Sequence, residues 1–236
     1  ISGVASAHQG TMGSTHKAQV NWHFETLPKA TKEALDFLSV QAWLKQSAWY
    51  LAGGTALALY EGHRTSLDLD FFYPRKNFNL QRLLSHLDKE HWAIDVAEKG
   101  TVYASCNQAK VSFIAYPFFI PKLPSKRYGA VRVLQPKDIA VMKIIAISQR
   151  GRKRDFIDMY WYANKHEPFR EILLRLPEQY PTVAHDYHHI LKSLMYFEDA
   201  EQDPMPKIFF NATWPEIKKY FRREVPRVTK EFLGLR

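Results

Sequence analysis

Apolar positions along this chain change period several times, and each change marks an element. From about Lys29 to Gln46, Leu35, Leu38, Ala42 and Leu44 recur near helical spacing, with Thr31 as a cap, and predict a helix. Trp49 to Ala52 predicts a short buried strand, Gly53-Gly54 a turn, and Thr55 to Glu61 a short helix. Leu67 to Tyr73 alternates apolar and acidic residues, which predicts a strand stopped by Pro74. Asn79 to Glu90 sets Leu80, Leu83, Leu84 and Leu87 on one helical face. Strand candidates at Ala93–Glu98, Thr101–Ser105 and Lys110–Tyr116, joined by Lys99-Gly100 and Asn107-Gln108, predict a meander. A Pro-rich passage (Pro117, Pro121, Pro124) leads to a further strand, Ala130–Leu134, and Pro136-Lys137-Asp138 opens a strong helix from Ile139 to Gln149. The rest reads as helices broken near Pro168, Pro177, Pro181 and the Asp203–Pro206 loop.

The order divides into a mixed α/β half, residues 17–134, and a mainly helical half, residues 135–236. Residues 1–16 are rich in Gly, Ser, Ala and His, without the basic start and apolar core of a signal peptide. They read as a disordered lead or an expression scar.

A hydrophobic share of 46% in 236 residues supports a sizeable core and excludes global disorder. The formal net charge of +9 fits either a solvated basic surface or a polyanionic partner such as nucleic acid. Cys106 stands alone, which excludes an internal disulfide framework and fits a reducing cytoplasm. No apolar run approaches the ~18 residues of a membrane span.

The alternation at residues 67–73 carries the strongest chemistry. Asp68 and Asp70 share one strand face, where they repel, and the surrounding apolar run would gain from an apolar residue at either site. A divalent cation removes that conflict. Gly53 and Gly54 at a helix start could meet a phosphate through backbone amides, with Thr55 adding a hydroxyl; alone, such a pair is an ordinary tight turn.

Lys143 lies inside an apolar helix, so its ammonium either reaches water or meets an anion such as a nucleotide phosphate. Asp155 and Asp158 share a face near a helix start, where they either complement the helix dipole or position Lys143. Arg150, Arg152, Lys153 and Arg154 form either a solvated loop or a grip on phosphate or RNA backbone. His185, His188 and His189 permit a zinc site by spacing, although a polar helix face is the simpler reading. Core packing is the reading for Tyr160, Trp161 and Tyr162.

Gly53-Gly54-Thr55-Ala56-Leu57 followed by Arg64-Thr65-Ser66-Leu67-Asp68-Leu69-Asp70 resembles the signature of the polymerase-β-like nucleotidyltransferase superfamily. Two further blocks narrow the resemblance to the AbiEii/AbiGii-type nucleotidyltransferase toxins. They are Asp138–Ala146 with Arg150–Tyr160, and Tyr196–Glu201 with Pro206 and Trp214. The resemblance spans roughly residues 30–225. It implies an α/β (α+β) core with a mixed sheet and a helical C-terminal region. It also implies Mg²⁺ on Asp68 and Asp70, NTP phosphate bound by Gly53, Gly54, Thr55 and Ser66, and Lys143 with Asp155 as a further essential pair. Arg64, Arg154 and Asp158 would support them.

The implied reaction moves an NMP from an NTP to RNA, a tRNA 3′ end in particular, in a cytoplasmic toxin neutralised by a separately encoded antitoxin. A protein acceptor, or a catalytically inactive NTP- or RNA-binding module, are the alternatives. The chain departs from the superfamily in one respect: Ser112 stands where many members carry a third carboxylate, which puts a general base or second-metal ligand in doubt. Asp95 and Glu98 on a neighbouring strand are candidate replacements, and Asp155 a candidate base.

Overall fold

The computed structural model describes residues 20–232, so the reading of residues 1–16 lies outside the described residues. After a 3-10 turn at Phe24–Thr26 come α1 (Lys29–Ser39), α2 (Ala42–Gln46), β1 (Tyr50–Ala52), α3 (Gly53–Glu61), β2 (Leu69–Tyr73) and α4 (Leu80–Leu84). Next are β3 (Trp92–Glu98), β4 (Thr101–Cys106), β5 (Ala109–Ala115), β6 (Lys126–Tyr128) and β7 (Val131–Val133). Helices follow: α5 (Pro136–Arg150), α6 (Lys153–Lys165), α7 (Phe169–Leu174), α8 (Leu176–Gln179), α9 (Tyr187–Ser193), α10 (Glu198–Glu201) and α11 (Trp214–Phe232). Among the described residues no helix is long and apolar enough to cross a membrane.

The strands form one mixed sheet in the order β3-β4-β5-β2-β1-β7-β6. β3, β4 and β5 are the expected antiparallel meander, β2 runs parallel to β5, and β1 is antiparallel to β2 and parallel to β7. In this register Asp70 faces Ala52 on one side and Ser112 on the other. The C-terminal end of β1 therefore delivers the glycine pair beside the N-terminal end of β2. A continuous apolar cluster joins Leu35 and Leu51 with Phe71 and Phe113 of the sheet, and with Ile144 and Phe156 of the helices.

Several boundaries differ from the sequence reading. The expected helix over 29–46 is two helices, because the Ser39 carbonyl accepts the Ala130 amide (2.6 Å) from the turn between β6 and β7. Thr31 does not cap it; its hydroxyl donates to the Leu67 carbonyl (2.8 Å). That bond, with the Ser66 amide on the Thr26 carbonyl (3.0 Å), diverts residues 66–68 from strand pairing. β2 thus starts at Leu69, Asp68 precedes it, and Leu67 is exposed rather than buried with Leu69 and Phe71.

The helix expected over 79–90 ends at Leu84. Asp88 draws the following chain into a turn by accepting the amides of Glu90 and His91 (3.0 and 2.9 Å). β6 has no counterpart in the sequence reading, and Pro177 opens α8 instead of breaking a helix, since an N-terminal position needs no amide hydrogen.

Candidate active site

Gly53 and Gly54 are required by what presses on them. Gly53 has φ +72°, and a Cβ there would lie 3.0 Å from Asp70 Oδ2. At Gly54 a Cβ would fall far inside van der Waals contact of the Arg64 guanidinium and 3.4 Å from Ser66 Oγ. The pair brings the start of α3 against a carboxylate and a guanidinium with no side chain between. Gly54→Ala is expected to push Arg64 out of place and cost about 1–3 kcal/mol of stability, read as a lowered denaturation midpoint.

Thr55 is buried. Its hydroxyl donates to the Asp68 carbonyl and lies 2.8 Å from Ser66 Oγ, so it fixes the backbone that presents Asp68. Asp70 Oδ1 accepts the Ser112 hydroxyl at 2.7 Å across the parallel pair. Asp95 and Glu98 lie on edge strand β3, beyond β4 and β5 from Asp70, and are exposed. They do not replace the carboxylate that Ser112 lacks.

Behind these residues lies a buried ionic network. Lys143 Nζ, 4% exposed, sits 2.6 Å from Asp155 Oδ1 and 2.6 Å from Asp158 Oδ2. Arg64 grips Asp158 with two bonds, Nε to Oδ1 at 2.6 Å and Nη2 to Oδ2 at 2.8 Å. Arg150 grips Asp155 similarly, at 2.9 and 3.1 Å. Burial raises both carboxyl pKa values, but the neighbouring cations outweigh it, Lys143 and Arg150 at Asp155, Arg64 and Lys143 at Asp158. Asp155 ends below the ordinary range and Asp158 well below it. Asp155 is therefore a poor general base: it is fully buried, held ionised, and bonded to two cations.

Sequence reasoning missed His63. Its Nε2 donates to Asp158 Oδ1 at 2.8 Å, and burial drives its pKa down despite that bond, so the ring is neutral. Adjacency to Arg64 was the available signal.

The basic run at the α5–α6 turn is paired throughout. Arg150 holds Asp155, Arg152 holds Asp203 (2.6 Å), Lys153 donates to the Asp203 carbonyl (2.5 Å), and Arg154 holds Asp68 (3.1 Å). The third motif block buttresses that turn: Phe197 and Trp214 pack on Phe156, and Lys153 lies over the Trp214 ring. Residues 207–209 also pair with residues 63–65, fixing the backbone that carries Arg64.

Asp68, Asp70, Lys143, Arg64, Arg150 and Arg154 all line one narrow cleft, together with Gly54, Thr55 and Ser66. Four cations thus face it against two carboxylates, with Asp155 and Asp158 behind. Two roomier hollows adjoin it, about 230 Å³ on the Asp70 and Lys143 side and about 250 Å³ on the Leu67 and Arg152 side.

The histidines do not converge: His185 Nε2 meets the Tyr180 carbonyl and His189 Nε2 the Ser148 carbonyl, while Asp186 caps α9. Asp88, Glu90 and His91 do cluster among the described residues, on the turn before β3, but Asp88 is taken up by the Glu90 and His91 amides.

Comparison with known proteins gives a family match over residues 43–126 and 109–232, described as the nucleotidyl transferase AbiEii toxin of type IV toxin–antitoxin systems. The uncharacterized protein aq_aa25 of Aquifex aeolicus is 36% identical over 191 residues, covering 78% of this chain and 88% of that one. Among solved structures, MenT4, a nucleotidyltransferase toxin of Mycobacterium tuberculosis, superposes with a TM-score of 0.55 at 14% identity. It covers 86% of each chain, and so shows the same fold. JHP933 from Helicobacter pylori matches with a TM-score of 0.47 at 17% identity, over 89% of this chain and 97% of that one.

Proposed function

The chain belongs to the AbiEii family of nucleotidyl transferase toxins, and from that premise we propose that it transfers an NMP from an NTP to the 3′ end of an RNA, a tRNA in particular. The setting in this reading is the cytoplasm, with a separately encoded antitoxin as the partner that restrains it. Catalysis is assigned to the α/β core, residues 17–134, completed by Lys143 and the α5–α6 turn of the helical region, residues 135–236.

The supporting observation is the cleft shared by Asp68, Asp70, Lys143, Arg64, Arg150 and Arg154 at the glycine pair. Two lining carboxylates, with no histidine or cysteine beside them, make a hard oxygen donor set, which suits Mg²⁺. Asp68, with one guanidinium partner, and Asp70, with one hydroxyl partner, would hold it. When bound, that ion would supply positive charge against the triphosphate and Lewis-acid polarisation of the α-phosphoryl group.

The chain's own residues do the rest. Amides at the start of α3 have no intrahelical partner and can meet phosphate, while Gly53 and Gly54 admit it closely. Lys143 and Arg150 face the charge that gathers on the leaving pyrophosphate, held ready by Asp155 and Asp158, which act as positioning residues. Thr55 and Ser66 position Asp68. An acceptor hydroxyl attacks the α-phosphorus in line; the new P–O bond forms as the bond to the bridging oxygen breaks and pyrophosphate leaves. The hydroxyl proton passes to Asp70 or to water at the cleft mouth.

A second reading, an NTP- or RNA-binding module without turnover, draws on Ser112 beside Asp70. Incubation with each labelled NTP, Mg²⁺, total tRNA and cell protein separates the readings. Label on tRNA with pyrophosphate release is the expected result. Label on protein would redirect the acceptor, and NTP binding without pyrophosphate release would favour the second reading.

A further inference from the structure

A second cavity lies at the opposite end of β1 from the glycine pair. It encloses about 300 Å³, room for one small ligand. Trp49 immediately precedes β1 and Gly53 immediately follows it, so about 13 Å of extended chain separates the two places. The walls are aromatic: Trp43 stacks flat on His86 (4.9 Å, 3° between planes), and Trp49 meets Tyr73 and Phe78, each at 4.9 Å.

The charge of this cavity also differs from that of the catalytic cleft. Arg75 and Arg82 line it, both are exposed, and among the described residues neither forms an ion pair and no carboxylate lines the cavity. At the cleft, by contrast, each of Arg64, Lys143, Arg150 and Arg154 already holds a carboxylate. Flat aromatic faces beside unpaired guanidinium groups suit a planar base joined to a phosphate. Unstacked nucleotides are held in this way, by stacking on Trp, Tyr, Phe or His and by Arg on the backbone.

We propose that this cavity is a second nucleotide site, in which the aromatic walls take one unstacked base and Arg75 and Arg82 take its phosphate. The occupant is a nucleotide unit, either within a single-stranded stretch of RNA or free. This goes beyond the catalytic reading and depends on neither Mg²⁺ nor turnover, so the two fail separately.

Photocrosslinking tests it. The full chain is irradiated in EDTA with a short oligoribonucleotide carrying 4-thiouridine, or with 4-thio-UMP, and crosslinked peptides are mapped by mass spectrometry. Crosslinks within residues 42–49 or 73–86 are expected. Trp43→Ala, and separately the exposed Arg75→Ala/Arg82→Ala pair, should each lower their yield about tenfold. Crosslinks with the oligomer alone identify an RNA strand as occupant, and crosslinks with both probes a free nucleotide as well. Absence of crosslinks from both segments with both probes, or unchanged yield in the Arg75→Ala/Arg82→Ala protein, overturns the proposal.

Discussion

Replacing Asp70 with asparagine is expected to lower the rate of labelled NMP transfer by about 10³-fold or more, with the fold retained. Asparagine preserves the side chain's shape and can still accept the Ser112 hydroxyl that now bonds Oδ1 at 2.7 Å. It also keeps the contact surface against Gly53, where a Cβ would lie 3.0 Å from Oδ2. What it removes is one of the two negative charges lining a cleft that four cations also face. Without Asp70 the cleft keeps Asp68, already held by Arg154 at 3.1 Å, as its only lining carboxylate among the described residues.

Because Asp70 is only half-buried and asparagine keeps an acceptor for the Ser112 hydroxyl, the fold should persist, read as an unchanged circular dichroism spectrum. Transfer that survives in Asp70→Asn at parental rate would remove Asp70 from the chemistry. Ser112→Ala is the informative companion. It deletes the hydroxyl bond without touching the charge, so its effect should be far smaller.

The meander and the α5–α6 pair were legible in the sequence because their signals are local. Alternation and the Asn107-Gln108 turn set β3 to β5, and a proline at the first position opens α5. The broken first helix and the late start of β2 share one cause, capture of backbone groups by distant parts of the chain. The Ser39 carbonyl is taken by Ala130, and Leu67 by Thr31, so a helix breaks and a strand starts late. Periodicity carries no information about such partners.

At the site, spacing placed Asp68 and Asp70 together and Asp155 with Asp158. It could not say that Arg64, nearly a hundred residues before Asp158, closes bidentately on it. Nor could it show that the basic run 150–154 is divided among different carboxylates. His63 was legible only as the neighbour of Arg64, because its partner is remote and its significance lies in burial.

That remote pairing supports the prediction with the largest effect on stability. Asp158 is fully buried and accepts from Arg64, Lys143 and His63 at once. Asp158→Asn leaves Arg64 buried without its carboxylate, and removing one partner of such a pair costs about 3–5 kcal/mol. For a domain of this size that is a fall of about 10 °C in Tm.

The acid limb of stability should change in a defined way. A carboxyl whose folded pKa is depressed contributes its full stability above its ordinary value, 3.8 for Asp158, and loses it as pH falls through the lower folded value. His63, also depressed, from 6.5, adds an earlier loss that begins below that pH, because the unfolded ring protonates first. The parent should therefore weaken in two stages on acidification. In Asp158→Asn the Asp158 contribution to the stage below about pH 4 should vanish.

The double variant Arg64→Met/Asp158→Leu removes both members of the bidentate pair, leaves Lys143, Asp155 and Arg150 together, and leaves the buried His63 Nε2–H without its acceptor. It should recover much of the stability lost in Asp158→Asn, as buried pairs replaced by apolar residues often do. If the double variant is no more stable than the single one, the pair is not the unit that holds α6 to the strand-bearing half. The stabilising term would then lie in the Phe156, Phe197 and Trp214 packing against the start of that helix.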